Sequence, residues 1–232
     1  MIYVTGDTHR VFYRVWDFCD EECTAKEDDV LIILGDAGIN YCGLPQDYIL
    51  KKELSCLPIT LFCIHGNHEM RPESIEGYEE VERYGGIVYM EPEFPNLLFA
   101  KDGEIYTFGD YRCIVIGGAY SVDKGWRLMN GAGWWPDEQP SDEIKERVEK
   151  RLEDENWEID VVLSHTCPEK FVPHEKLLAF IDQSTVDKST EKWLDTIEDR
   201  LSYKEWYCGH YHIDKLVDNF RFMSDSIKEL TE

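Results

Sequence analysis

Long apolar runs are missing from this 232-residue chain. The longest, such as Val30 to Leu34, are strand-sized, far short of the roughly 20 residues a membrane-spanning helix needs. Positive charge is scarce: 24 Lys plus Arg stand against 48 Asp plus Glu, a formal net charge of −24, with a sequence pI near 4.6. A surface of that sign repels nucleic-acid backbones and anionic membrane leaflets, whose binding runs on basic patches. The 8 cysteines form no Cys-x-x-Cys pair, and several sit inside apolar runs such as Leu61-Phe62-Cys63-Ile64. That pattern points to buried, reduced thiols, not to a zinc knuckle or a disulfide framework. The N-terminal Met1-Ile2-Tyr3-Val4-Thr5-Gly6-Asp7 goes straight into a strand and a polar turn, without the basic and apolar regions of a signal peptide, so a cytoplasmic location is expected.

What is present is enough to build a core: 43% of residues are hydrophobic and 13% aromatic. The length suits one domain over residues 1–232, two small domains being the alternative. Short β-rich runs alternate with helical stretches throughout, which predicts an α/β fold. Strands are predicted at Ile2 to Thr5, Val30 to Leu34, Ile59 to Ile64, Ile87 to Tyr89, Glu104 to Phe108, Cys113 to Gly117, Val161 to Ser164 and Glu205 to Cys208. A hairpin joins Lys215 to Val217 with Phe220 to Phe222 through Asp218-Asn219, and Gly109-Asp110 marks another, so the sheets should be mixed. Helices are predicted at Val11 to Cys23, Asp47 to Leu57, Glu76 to Tyr84, Asp142 to Trp157 after a Ser141 cap, Glu175 to Phe180, and Thr190 to Leu201 after Ser189. The least regular stretch, Gly125 to Pro140, carries Trp126, Trp134 and Trp135, which read as a hydrophobic plug or as an aromatic wall over a site.

Chemistry collects at strand ends. After five predicted strands come Gly6-Asp7-Thr8-His9, Gly35-Asp36, Gly66-Asn67-His68-Glu69, His165 and Gly209-His210-Tyr211-His212. Ligands of open α/β sheets bind outside the carboxyl ends of the strands, so these distant residues can converge. Glycine precedes the ligand in four of the five, as expected where the chain turns sharply or its backbone approaches a ligand closely. In extended backbone, residues i and i+2 face the same side, so Asp7 with His9, and His210 with His212, can each offer two ligands to one region. Asp, Asn and His without Cys suit Mn²⁺, Fe or Zn²⁺.

This ordered set resembles the calcineurin-like metallophosphoesterase superfamily, and its motifs run from residue 6 to 212. The resemblance implies a four-layer α/β sandwich, two mixed β-sheets flanked by helices, with a site for two divalent metal ions: manganese first, with iron, zinc or nickel as alternatives. It implies that Asp7, His9, Asp36 and His212 hold one metal, and that Asp36 as a bridge, Asn67, His165 and His210 hold the other, with His68 as the catalytic histidine. Two cations about 3.5–4 Å apart lower the pKa of a shared water to about 7 and clamp the phosphoryl oxygens, and His68 is placed to protonate the leaving alkoxide.

Departures from the pattern are informative. Protein Ser/Thr phosphatases of the superfamily carry Gly-Asp-x-x-Asp-Arg-Gly. Here Ile39 replaces the second Asp and Asn40 the phosphate-binding Arg, which leaves the support of His68 unassigned. Arg10 and Arg71 are candidate phosphate contacts through bidentate guanidinium geometry, a structural ion pair being the alternative for each, and Asn67 can touch substrate as well as metal. The expected activity is hydrolysis of a small or nucleotide-like phosphate ester, diester or monoester. The alternatives are a non-catalytic scaffold of the same fold, a protein phosphatase, or a nuclease, the last disfavoured by the charge. His65, at the end of a strand, reads as a core residue, and Cys167, two residues after His165, lacks a thiol partner among the motifs.

Overall fold

The computed structural model describes residues 1–21, 28–177 and 181–231. Along the chain run β1 (Ile2–Thr5), α1 (Tyr13–Glu21), β2 (Val30–Ile33), α2 (Gln46–Leu54), β3 (Thr60–Cys63), β4 (Glu79–Arg83), β5 (Gly86–Met90), β6 (Leu97–Ala100), β7 (Ile105–Phe108), β8 (Tyr111–Ile116), α3 (Lys124–Asn130), α4 (Asp142–Asp154), β9 (Val161–Ser164), α5 (Ser189–Glu198), β10 (Glu205–Cys208), β11 (Lys215–Val217), β12 (Phe220–Phe222) and β13 (Lys228–Glu229).

The strands form two mixed sheets, ordered β13-β1-β2-β3-β6-β5-β4 and β11-β12-β10-β9-β8-β7. In the first, β1, β2, β3 and β6 run parallel and the outer strands antiparallel; in the second, β12, β10, β9 and β8 are the parallel block. Alternate residues of each strand face opposite layers. Val4, Ile32, Phe62 and Leu98 meet Tyr106, Val115, Leu163 and Tyr207 between the sheets. Tyr3, Leu31, Ile33 and Leu61 turn outward onto Val15 and Cys19 of α1 and Leu54 of α2. Ile114, Val162 and Trp206 likewise turn onto Val148 of α4 and Leu194 and Ile197 of α5. Both faces of the central strands are therefore covered, which is why they read as unbroken apolar runs. Among the described residues no helix is long and apolar enough to cross a membrane.

The predicted hairpins at Gly109-Asp110 and Asp218-Asn219 are present, and Ser141 caps α4 by accepting from the Ile144 N–H at 3.3 Å. The helix expected over Glu76 to Tyr84 is instead strand β4. Tyr84 (φ 54°) and Gly85 (φ 82°) form a two-residue turn with both φ values positive, which reverses the chain so that Glu79–Arg83 pairs with Gly86–Met90. The ladder overrides the helix preference of its glutamates, and the exposed Glu79, Glu80, Glu82 and Arg83 suit an unpaired sheet edge. Of the helix expected over Glu175 to Phe180, the chain keeps one 3₁₀ turn, His174–Lys176; residues 178–180 lie outside the described residues. β6, β13 and α3 had no counterpart in the sequence reading. Cys42 and Cys56 are exposed, contrary to expectation, while the thiols of Cys19, Cys63, Cys113, Cys167 and Cys208 are free and buried, and Cys23 falls outside the described residues.

Candidate metal centre

The carboxyl ends of β1, β2, β3, β9 and β10 meet where the two sheets face each other, and they bring the strand-end motifs together. Four of the residues involved adopt left-handed backbone: His9 (φ 45°), Asp36 (φ 49°), His210 (φ 66°) and His212 (φ 49°). Asp and His tolerate this region better than most side chains, yet each such residue costs on the order of 1–3 kcal/mol unless its surroundings enforce it. The surroundings do: Thr8 and His9 N–H groups donate to the Asp36 carbonyl at 3.2 and 2.8 Å, and the half-buried Arg14 guanidinium donates to the carbonyls of Gly6 and Asp7 at 2.9 and 2.7 Å.

The glycines before the ligands act mostly by leaving room. Among them only Gly35 has a positive φ, 91°. A Cβ on Gly35 would lie 2.1 Å from the His165 ring, one on Gly66 2.1 Å from the Asp36 carboxylate, and one on Gly209 2.3 Å from Asp7 Oδ1. Each of the three thus seats a ligand carried by a different strand.

The donor atoms crowd together. Asp7, His9 and His212 form one group whose ligand atoms lie within 4.8 Å of one another; His9 with Asp36 and His68, and Asp7 with Asp36 and His165, form two more. His9 Nε2 is 3.0 Å from His212 Nε2 and 3.6 Å from Asp7 Oδ2, and His165 Nε2 is 3.5 Å from Asp36 Oδ1. The Asn67 amide donates to Ser121 Oγ at 2.9 Å, which turns its Oδ1 toward His165 Nε2, also at 2.9 Å. The His210 N–H donates to Asp7 Oδ1, and the His210 ring lies edge-on to His165 at 5.0 Å, outside the three groups.

The chemistry of this set fits divalent cations. His165 Nδ1 donates to the Leu34 carbonyl at 2.7 Å, which fixes the ring with its Nε2 facing the oxygens of Asn67 and Asp36. Several nitrogen and oxygen donors converge on one place, two of them on carboxylates 7% and 1% exposed, an arrangement that a cation would join. The titrations reflect this convergence. Burial and the neighbouring Asp7 push Asp36 well above the carboxylate range. Burial also raises Asp7, but the hydrogen bond with His212 and the nearby His165 and His9 outweigh it and hold Asp7 low. Burial and His165 push His210 down to about 3.

His68 stands beside these groups, its N–H donating to Asp36 Oδ1 at 2.7 Å and its Nε2 3.9 Å from Asp36 Oδ2. Burial, then the Arg127 cation, pushes its ring down to about 2, so in the free site it is a neutral imidazole. Arg127, on α3, is 1% exposed; its Nε donates to the Asp123 carboxylate at 2.9 Å, its Nη1 to the Gly133 carbonyl at 3.1 Å, and its Nη2 lies against the His68 ring nitrogens. Sequence reasoning missed this residue. The available signal was that Arg127 is the sole basic residue between Gly125 and Pro140 in a chain of net charge −24.

The two arginines singled out from the sequence are engaged elsewhere. Arg10 Nη1 pairs with Asp47 at 2.5 Å and donates to the Gly38 carbonyl at 2.7 Å, while Arg71 pairs with Asp102 at 2.7 Å and donates to the Asp137 carbonyl at 2.9 Å. In an acidic protein nearby carboxylates take these guanidinium groups, and each forms the ion pair that was its alternative reading. Glu69 accepts from Gly66 N–H at 3.3 Å and Gly38 N–H at 3.2 Å, joining the loops that carry Asp36 and Asn67. His65 is buried, as expected, and the Cys208 thiol interacts with Cys167, the partner the motifs did not reveal.

An α/β sandwich with nitrogen and oxygen donors at its strand ends defines a candidate divalent-cation site. The model of the calcineurin-like phosphoesterase family matches residues 1–219, and the chain belongs to that family. Among solved structures it is similar to the phosphopantetheinyl hydrolase PptH from Mycobacterium tuberculosis, at 15% identity over 96% of this chain and 87% of that one, with a TM-score of 0.47. It is also similar to the protein of unknown function AQ665 from Aquifex aeolicus, at 16% identity over 72% of this chain and 80% of that one, with a TM-score of 0.30. No curated protein matches it.

Proposed function

We propose that this protein is a metal-dependent phosphoesterase that uses two divalent cations to hydrolyse a small phosphate ester. The observation that carries the reading is the crowding of nitrogen and oxygen donors around Asp36 with His68 and Arg127 beside them. Asp7, His9, Asp36 and His212 would hold one cation, and Asp36, Asn67, His165 and His210 the other. The N and O donor set without thiolate suits manganese, iron, zinc or nickel, manganese being the first to test. Bound there, such cations supply Lewis acidity, acidifying water and neutralising charge on the phosphoryl oxygens. His68 protonates the leaving oxygen; it is neutral in the free site, and the negative phosphoryl group entering beside it supplies the charge that lets its ring take up the proton it passes on. Arg127 positions His68, held in turn by Asp123 and Gly133.

Asn40, where protein Ser/Thr phosphatases carry a phosphate-binding arginine, is fully buried and accepts from Tyr78 Oη at 2.9 Å, while Ile39 lies in the core. That argues for a small-molecule ester over a phosphoprotein. The test is elemental analysis of the purified protein with hydrolysis of p-nitrophenyl phosphate and bis-p-nitrophenyl phosphate in Mn²⁺, Fe²⁺, Ni²⁺, Zn²⁺ and Mg²⁺. Two metals per chain, with turnover that His68→Ala abolishes while metal is retained, is the expected result. A full metal complement without turnover on either ester would make the chain a scaffold and overturn the proposal, as would failure to bind metal.

A further inference from the structure

A cavity of about 290 Å³ opens directly off the metal centre. Its lining joins candidate site residues, among them Asp36, Asn67 and His68, to the apolar or aromatic Val122, Leu177, Ile181 and Tyr211. Those four come from three places in the chain: Val122 leads into α3, Leu177 and Ile181 flank residues 178–180, and Tyr211 lies between the two histidines after β10. Val122 is 38% exposed, an apolar side chain facing the opening that the core does not claim. Polar groups along this wall already have partners. Tyr211 Oη is 3.3 Å from Thr166 Oγ1, Asp123 holds Arg127, and Gln183 Nε2 donates to the Ile181 carbonyl at 3.4 Å. Lys176 is the remaining charged side chain of the lining and is exposed.

We propose that the apolar wall of this cavity receives the organic arm of the ester, so that the substrate class is phosphate esters with an alkyl or aryl group next to the phosphoryl oxygen. The inference rests on the phosphoesterase reading. Because the cavity is continuous with the residues that take the phosphoryl group, the arm attached to phosphorus is the one occupant whose position follows from the chemistry. An apolar arm exchanges water for Val122, Leu177 and Ile181, whereas a polyol arm of equal length loses hydrogen bonds to water and, apart from the exposed Lys176, meets polar side chains that already have partners. The size of the cavity suits a small-molecule arm, since organic ligands fill pockets of about 300 Å³ and upward.

The test is a series of alkyl p-nitrophenyl phosphates and alkyl phosphates, from methyl to hexyl, with glyceryl esters as the polar counterpart, assayed on the metal-loaded protein. Each methylene that is fully buried should raise kcat/KM about fourfold until the wall is covered. The propyl ester should exceed the glyceryl ester at least tenfold. Val122→Ser and Ile181→Ser should each lower the hexyl-to-methyl ratio several-fold, a ratio read within one protein and so independent of its overall activity. Calorimetric binding of methyl- to hexylphosphonate to the His68→Ala protein should follow the same order without any turnover. Turnover that varies less than twofold along the series, or that favours the glyceryl ester, overturns this inference and leaves the phosphoesterase standing. No release from any ester by a metal-loaded protein removes the phosphoesterase reading, and this inference with it.

Discussion

Gly66→Ala adds a single methyl group, and its effect can be worked from the structure. Gly66 lies outside the left-handed region, so alanine brings no backbone strain of that kind; the consequence is spatial. The new Cβ would stand 2.1 Å from both the N and Oδ1 of Asp36, where ordinary contact begins near 3.4 Å, so the β2 and β3 loops must part by about 1.3 Å. Overpacking of this kind costs about 1–3 kcal/mol of stability. The functional loss should be larger in proportion. Asp36 belongs to two of the three ligand groups and accepts from the His68 N–H, so its displacement disturbs both, and a 1 Å misplacement costs about 10²-fold in rate. The assay is metal content per chain, kcat/KM on the better nitrophenyl ester, and thermal melting. Gly125→Ala is the control: its Cβ meets nothing within 4 Å, and in helix α3 it should stabilise by up to about 1 kcal/mol. A Gly66→Ala protein with full metal content and kcat/KM within threefold of wild type would refute the reasoning that these glycines exist to seat ligands.

Further outcomes follow from other contacts. Arg127→Ala should lower kcat at least tenfold with little change in metal content, and Arg127→Lys, which keeps the charge but loses the contacts to Asp123 and Gly133, should recover only part of it; a pH–rate profile identical to wild type in both variants would show that the arginine does not act on His68. Chelation should destabilise the protein by about 2–4 kcal/mol, the linkage expected when metal is present at 100 to 1,000 times its Kd, and so lower Tm by roughly 5–15 °C, reversibly on adding Mn²⁺; an unchanged Tm would mean that no cation relieves the crowded donors. Ser164→Ala removes the acceptor 2.7 Å from the Nε1 of the fully buried Trp206, and should cost about 1–3 kcal/mol by urea unfolding without loss of metal; a change below 0.3 kcal/mol would show that the indole finds another partner.

The candidate site was legible to the extent that its residues announce themselves locally. An apolar run followed by glycine and a ligand is a short-range pattern, and it marks strand end, turn and donor at once, as for Asp36 after β2 and Asn67 after β3. The hairpin turns were legible for the same reason. What escaped depended on partners far away in the chain. Glu79–Arg83 reads as helix until Tyr84 and Gly85 turn it back onto β5. The tasks of Arg10 and Arg71 are set by Asp47 and Asp102, 37 and 31 positions away, and guanidinium groups carry no periodicity that reveals their partner. Arg127 reaches His68 across 59 positions from a seven-residue helix with no amphipathic stripe to betray it. The glycines were legible as places of sharp turn and close approach, but not what they approach: at Gly66 and Gly209 the neighbour is a candidate ligand on another strand.

That cross-strand seating bears on how the sandwich can deform. Gly209, on the second sheet, seats Asp7 of the first, and Gly35, on the first, seats His165 of the second. The two sheets approach each other at the centre from both sides, main chain of each against a candidate ligand of the other, so a slide of one over the other would change the spacing of those ligands. The metal centre is therefore a gauge of inter-sheet registry. A shear imposed far away, through α4 and α5 on one outer face or α1 and α2 on the other, would be felt at the candidate centre as a change in the distances between its donor atoms.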